Sequence, residues 1–351
     1  MRKRIPEPIS GGLILSYQCT AECRFCMYAC SPRWRDWISE EDLRRILSEL
    51  SGRIRPSRFG PDGVELNLGL HFTGGEPFLK FDLLLRAVEI AREFEIPSTF
   101  VETNCCWCAD ESETREKLYL LKERGLKGIL ISVNPFYLEF VPFERTERGI
   151  RAALEVFGPR NVMIYQAEYF RRFKKLGIRG KLKLEDYLRL SGEKLGGNVE
   201  LFLMGRAAYK LRKFYPKYPP ENFFDVPCLP PPIRSWHNHF DNYGNFLPGY
   251  CGGISLGDAR NLSELLREGI DLAEKPVLKF LMQQDLRGLF QFAQERGYKP
   301  LQEGYISKCH LCLDIRRFLA KMGEFEELSP REFYEELERD GDEDLGDRDL
   351  L

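Results

Sequence analysis

With 351 residues, 43% of them apolar, the chain is long enough for one large domain and a smaller appendage around a sizeable core. A formal charge of −2 gives no general attraction to nucleic acid or an anionic membrane, and no apolar run is long enough to span a bilayer. The basic start, MRKRIPEPISGG, lacks the apolar stretch and cleavage site of a signal peptide. Eleven cysteines without an export signal therefore predict reduced thiols in the cytoplasm. Their odd, clustered distribution argues against a disulfide framework and for more than one metal site.

In chain order, Gly12–Ser16 reads as a strand that leads into a cysteine loop. Ser39 to Asp42 is a capping signal for a helix with Leu43, Ile46, Leu47 and Leu50 on one face. Strands are then expected at 64–73, 98–104, 128–133, 162–168 and 199–204, and helices at 81–95, 112–124, 146–157 and 184–195. Six strands alternating with helices predict an α/β fold with a parallel sheet, an incomplete barrel open on one side. Beyond Gly205 the texture changes. Residues 215–232 are rich in proline and aromatics and read as a crossover. Asp241 to Gly244 is a hairpin signal. Helices are expected at about 261–273 and 276–296, another beginning at Cys309 and Cys312, and a last short one after Ser329. This divides the chain into 1–215, 216–325, and a short helix with an acidic tail over 326–351. The basic stretch 171–183 reads as a solvated face.

Cys19, Cys23 and Cys26, with Phe25 before the last, put three thiolates in one tight loop. A [4Fe–4S] cube held by three cysteines keeps one iron open to an outside ligand, and an amine with a carboxylate could chelate it. Zinc is the alternative for closely spaced cysteines. About 50 residues later, Gly74, Gly75, Glu76 and Pro77 end the second strand. Paired glycines allow close backbone approach to a ligand, and a carboxylate can accept from an ammonium group.

These two motifs resemble those of the radical SAM superfamily. The family pattern CX3CXφC, with φ aromatic, matches Cys19, Cys23, Phe25 and Cys26, and its GGE motif matches Gly74, Gly75 and Glu76. Glu102 to Asn104 sits where relatives have a TNG segment, with Cys105 in place of the glycine. Ile131 to Asn134 sits where they have a serine and an aspartate, with Asn134 in place of the aspartate. Gly205 to Ala207 resembles a GRA segment found in members with a C-terminal cluster domain. The resemblance implies a partial (β/α)6 TIM-like barrel with its site at the C-terminal ends of the strands. It implies a [4Fe–4S] cluster on Cys19, Cys23 and Cys26, and S-adenosylmethionine (SAM) held by Phe25, Gly74, Gly75, Glu76, Pro77, Thr103 and Ser132. The implied activity is reductive cleavage of SAM to a 5′-deoxyadenosyl radical that abstracts a substrate hydrogen, under anaerobic conditions. A low-potential electron donor of ferredoxin or flavodoxin type is the implied partner.

Cys228, Cys251, Cys309 and Cys312 resemble the twitch form of the SPASM subgroup, which carries one auxiliary [4Fe–4S] cluster. A complete thiolate shell favours electron relay, and hence an oxidoreductase that oxidises or cross-links a peptide side chain or a small metabolite. A structural zinc is the alternative there. Two other classes are a non-enzymatic iron–sulfur electron carrier and a zinc-stapled binding module. The residues before position 11 are expected to leave no room for a leader-peptide-binding domain, and no cobalamin domain fits. Cys30, Cys105, Cys106 and Cys108 are expected near the barrel mouth, as thiols acting in the chemistry or as buried small side chains. His237 and His239 share one face of a strand, as polar core or substrate contacts ahead of zinc ligands. His71 could point into the barrel, and His310 is expected to hydrogen-bond locally.

Overall fold

The computed structural model describes residues 2–195, 201–229 and 231–346. Strands β1 (Ser10–Ile14), β2 (Gly69–Thr73), β3 (Phe100–Thr103), β4 (Gly128–Ser132) and β5 (Val162–Tyr165) are joined by the crossover helices α1 (Glu40–Leu50), α2 (Phe81–Glu93), α3 (Glu111–Arg124) and α4 (Phe143–Phe157). All five strands run parallel. The sheet is completed by β6 (Asn238–Phe240), parallel to β1, and β7 (Phe246–Leu247), antiparallel to β6, in the order β5-β4-β3-β2-β1-β6-β7. The hairpin expected at 241–244 thus forms, and its first strand docks on the free edge of the first strand in the chain. Residues 199 and 200 of the expected sixth strand lie outside the described residues. Residues 201–204 run without regular structure beside the cysteine loop, so the sixth parallel strand is β6. Among the described residues, no helix is long and apolar enough to cross a membrane.

Period-two alternation sorts the strands' side chains into two layers. Leu13, Leu70, Phe72, Val101, Ile129, Ile131 and Phe240 are buried against the helices. On the other face, register places His239, Gly12, His71, Phe100 and Gly128 in one row across the sheet. A second large core joins the cysteine loop to the C-terminal helices, where Tyr17, Cys19 and Cys23 pack with Leu286, Leu311 and Phe333. The expected 276–296 helix is two helices, Pro276–Gln283 and Leu286–Gln294, separated by Gln284 at a left-handed φ of 55°. Asp285 caps the second by accepting from the Gly288 N–H at 2.7 Å. The last helix, Arg331–Gly346, is longer than expected, and its first turns bury a face: Phe333, Tyr334 and Leu337 pack into the core around the cysteine loop.

Candidate functional site

The cysteine loop is fixed by backbone before any thiol is considered. Leu15 N–H donates to Thr73 O at 3.0 Å, continuing the β1–β2 ladder, and Cys19 N–H donates to Ser31 O at 3.0 Å, closing the loop on itself. Gly75 N–H donates to Ser16 O and Glu76 N–H to Gln18 O, at 2.8 and 2.9 Å. A side-chain carbon on Gly74 would overlap Ser16 O, and one on Gly75 would overlap Gln18 O. The paired glycines therefore serve a close approach of two backbone segments, which presses the end of β2 onto the cysteine loop.

Arg206 holds the loop from the other side. Only 1% exposed, its guanidinium donates to Cys30 O at 3.0 Å and Cys23 O at 3.4 Å, while its N–H donates to Cys26 O at 2.9 Å. Burial pushes the Cys19 and Cys23 thiols well up. Cys26 is instead lowered to about 6, first by the Cys30 thiol donating to it and then by Arg206. At the last strand ends, Phe25 stacks on Phe136 at 4.9 Å and meets Tyr137 edge-on at 5.2 Å. Asn134 caps the turn Pro135–Leu138 by accepting from Phe136 and Tyr137 N–H, and its amide donates to Gln166 Oε1 at 3.1 Å. An aspartate could cap here but could not make the last bond.

These elements surround one cavity of about 200 Å³, lined by Cys19, Cys23, Cys26 and Cys30, Phe25, Gly74, Gly75, Thr103 and Ser132. Glu102, Tyr28, Tyr165, Gln166, His237, His239 and Tyr250 line it too and were not singled out as SAM contacts, because they come from separate strand ends without a motif. Glu76 and Pro77 lie behind the wall. The Glu76 carboxylate accepts from Thr103 Oγ1 at 2.9 and 3.0 Å, Asn104 N–H at 3.0 Å and Phe78 N–H at 3.3 Å, tying β2 to β3. Burial pushes it up to about 7 against those donors. The folded chain thus keeps this proton up to about pH 7, whereas an ordinary glutamate loses it near 4.5. Folding takes up a proton in that window, and stability falls as pH rises through it. The urea midpoint of the iron-free protein is therefore expected to drop between pH 5 and pH 8, and Glu76→Gln to flatten the drop. An unchanged pH slope in the variant would remove Glu76 as its source.

Cys105, Cys106 and Cys108 do not line the cavity. Cys105, at a φ of 63°, and Cys108 are fully buried against Gly149 of α4. Trp107 stacks on Phe78 at 3.9 Å and donates to Thr103 Oγ1 at 2.9 Å, so this loop braces the end of β3. Burial and nearby Glu76 push the half-buried Cys106 up to about 12. Only Cys30 of these four thiols reaches the cavity wall.

The second cysteine set also converges. Ser307 caps the helix α5 (Lys308–Ala320), accepting from His310 N–H at 3.0 Å and setting Cys309 and Cys312 in its first turns. Burial pushes Cys251 up to about 11 and Cys309 up to about 12, with the other thiols of the set adding to both shifts. Two cations answer this crowding: Lys308 bonds Cys228, and the fully buried Arg316 bonds Cys312. Arg316 also donates to Gly252 O at 2.9 Å and Tyr334 Oη at 3.0 Å. Thiols gathered around buried cations fit an anionic thiolate-bound cluster at both sites. A zinc tetrahedron needs sulfurs about 3.8 Å apart. Among the described residues, no three thiols bring their sulfurs within 4.8 Å of one another.

Comparison with known proteins finds no matching family model. A curated relative, the putative peptide biosynthesis protein YydG of Bacillus subtilis, is 23% identical over 127 residues, 36% of each chain. The match thus spans about a third of that relative's length. Among solved structures, the anSMEcpe protein with bound AdoMet is 15% identical over 90% of this chain and 97% of its own, with a TM-score of 0.43. BtrN in complex with AdoMet and 2-DOIA is 13% identical over 77% and 89%, with a TM-score of 0.38. SuiB of Streptococcus suis bound to S-adenosylmethionine is 16% identical over 69% and 60%, with a TM-score of 0.31.

Proposed function

We propose that the chain is a radical SAM enzyme of the SPASM/twitch type that oxidises or cross-links a peptide side chain. The observation that carries this reading is the cavity at the C-terminal ends of parallel strands, where three loop thiols face Gly74, Gly75, Thr103 and Ser132. The description of the Bacillus subtilis relative as a peptide biosynthesis protein supports a peptide as the substrate class. Cys19, Cys23 and Cys26 would hold a [4Fe–4S] cluster, and Cys228, Cys251, Cys309 and Cys312 a second one. When bound, the first cluster supplies one electron to cleave SAM, giving a 5′-deoxyadenosyl radical that takes a substrate hydrogen. Within the protein, Arg206 keeps the loop folded and opposes its negative charge, the β2 turn and Thr103 orient SAM, and aromatic walls exclude water. A low-potential donor of ferredoxin or flavodoxin type would supply the electron for SAM cleavage, and the auxiliary site, attended by Arg316 and Lys308, would accept the electron that the substrate radical loses on oxidation. The same reading assigns 1–215 to the radical SAM part, 216–325 to the auxiliary part and 326–351 to a terminal helix and tail, in a cytoplasmic protein.

Anaerobically reconstituted, reduced protein is expected to convert SAM to 5′-deoxyadenosine. Iron-replete protein that never forms it would favour an electron carrier instead. Two clusters correspond to about eight irons per chain. Cys309→Ala with Cys312→Ala is expected to leave about four irons and measurable SAM cleavage, while abolishing product formation. Retention of all eight would remove the auxiliary assignment.

A further inference from the structure

Three histidines meet on the inner face of the sheet beside the cavity: His71 from β2, His239 from β6, and His237 from the residue just before β6. In the parallel register Gly12 pairs with His71 on one side and with His239 on the other. A side-chain carbon at residue 12 would overlap His71 Nε2 and come within 2.7 Å of His239 Cδ2, so the glycine keeps open the space where the two rings meet. Their Nε2 atoms are 3.4 Å apart. His237, on the same face as His239, completes a triangle with ring centroids 5.3 Å apart on every side. One nitrogen from each ring lies within 4.8 Å of the other two, and all three residues are buried.

Backbone carbonyls fix the tautomers of two rings. His239 Nδ1 lies 3.0 Å from Gly249 O, and His237 Nδ1 lies 3.2 Å from Leu66 O. The Tyr28 hydroxyl, 3.0 Å from His239 Nδ1, also reaches Gly249 O at 3.1 Å; with its hydrogen on that carbonyl, which like Leu66 O only accepts, both Nδ1 atoms donate and both Nε2 atoms present lone pairs. Metal-binding histidines are oriented in this way, by donating the other ring N–H to a carbonyl. The spacing fits as well. Zinc–nitrogen bonds of 2.0–2.1 Å at tetrahedral angles separate two nitrogens by about 3.3–3.4 Å. The nearest acid, Glu102, has Oε1 3.6 Å from His71 Nε2 and is steadied by Thr73 Oγ1 donating to Oε2 at 2.6 Å.

We propose that His71, His237 and His239 bind a divalent transition-metal ion of the zinc class, with Glu102 or a ligand from the cavity in the fourth position. Three imidazoles with an oxygen donor suit zinc and its borderline neighbours better than magnesium or calcium. His237, His239 and Glu102 line the same cavity as the loop thiols, so the ion would face the space assigned above to the substrate. A carboxylate or carbonyl oxygen of the substrate is the chemistry such a position takes. The identity of that ligand rests on the proposed function, whereas the ion itself does not.

The test uses the full chain with its iron–sulfur sites assembled, equilibrated with zinc sulfate, desalted, and measured by metal counting and X-ray absorption at the zinc edge. One zinc per chain is expected, with nitrogen or oxygen neighbours at about 2.0–2.1 Å and imidazole outer-shell scattering. His71→Gln and His237→Asn are each expected to weaken zinc binding at least about tenfold with the iron count unchanged, and Glu102→Gln to weaken it less. The iron count also reports that each variant folds. Wild-type protein that retains no zinc, zinc bound through sulfur at about 2.3 Å, or histidine variants that keep the ion would each overturn the site. Formation of 5′-deoxyadenosine reads the proposed function separately, so the two can fail independently.

Discussion

Replacing Arg206 with methionine is expected to empty the first cysteine loop, lowering iron from about eight to about four per chain. Two causes act together. The substitution leaves Cys30 O without its buried donor, an orphaned carbonyl that costs about 1–3 kcal/mol, while Cys23 O keeps the Cys26 N–H at 3.0 Å. It also removes the cation that helps hold Cys26 near its lowered value and opposes charge on Cys23. Thiolates rather than thiols bind metal, so cluster affinity and SAM cleavage should fall by about 10–100-fold. Iron counting, 5′-deoxyadenosine yield and the urea midpoint check the three effects. Full iron with normal SAM cleavage would show that Arg206 has only a packing role.

Gly75→Ala is expected to act through geometry alone. The added carbon would overlap Gln18 O and come within 2.9 Å of the Cys19 nitrogen, both backbone atoms that no rotamer change can move. Relief requires the end of β2 to shift away from the cysteine loop. Overpacking of this kind costs about 1–3 kcal/mol, and a displacement near 1 Å at reacting groups can lower turnover about 100-fold. The expected result is a modest loss of stability with a much larger loss of SAM cleavage. The urea midpoint and the 5′-deoxyadenosine rate separate the two. Equal losses in both would mean that the loop unfolds instead of shifting.

What the sequence discloses here follows from how locally each feature is encoded. The loop of Cys19, Cys23 and Cys26 and the Gly74 to Pro77 turn are contiguous and so could be recognised directly, as could the strand and helix alternation through β5. The inward direction of Glu76, towards Thr103 and Asn104, was not legible, because it depends on how β2 and β3 end relative to each other. The edge strand was misplaced for a related reason. Leu201 to Met204 have an apolar pattern suited to a strand, yet they serve as wall and support: Phe202 stacks on Tyr250 at 5.1 Å, and Leu203 O accepts from Ser307 at 3.2 Å. The histidine triangle was visible only as fragments. His237 and His239 could be paired by spacing, but joining them to His71, 168 residues from His239, needs the register of both strands on β1. Gly12 had no meaning until that register was known. Glu336 is a similar case, remote in sequence yet accepting from Ser31 at 3.0 Å and Arg33 at 2.7 Å beside the cysteine loop.

The docking of β6 on β1 also dictates a sequence of events on the ribosome. Until Phe240 emerges, β1 has β2 on one side and an unpaired edge on the other. At about 5–20 residues per second, the 226 residues between Ile14 and Phe240 take about 11–45 s to synthesise. Through that interval the nascent chain carries an open strand edge, which is a template for mispairing with other chains. It also carries reduced loop thiols not yet covered by the C-terminal helices. Completion of the chain pairs that edge with β6 and seats the C-terminal helices against the loop.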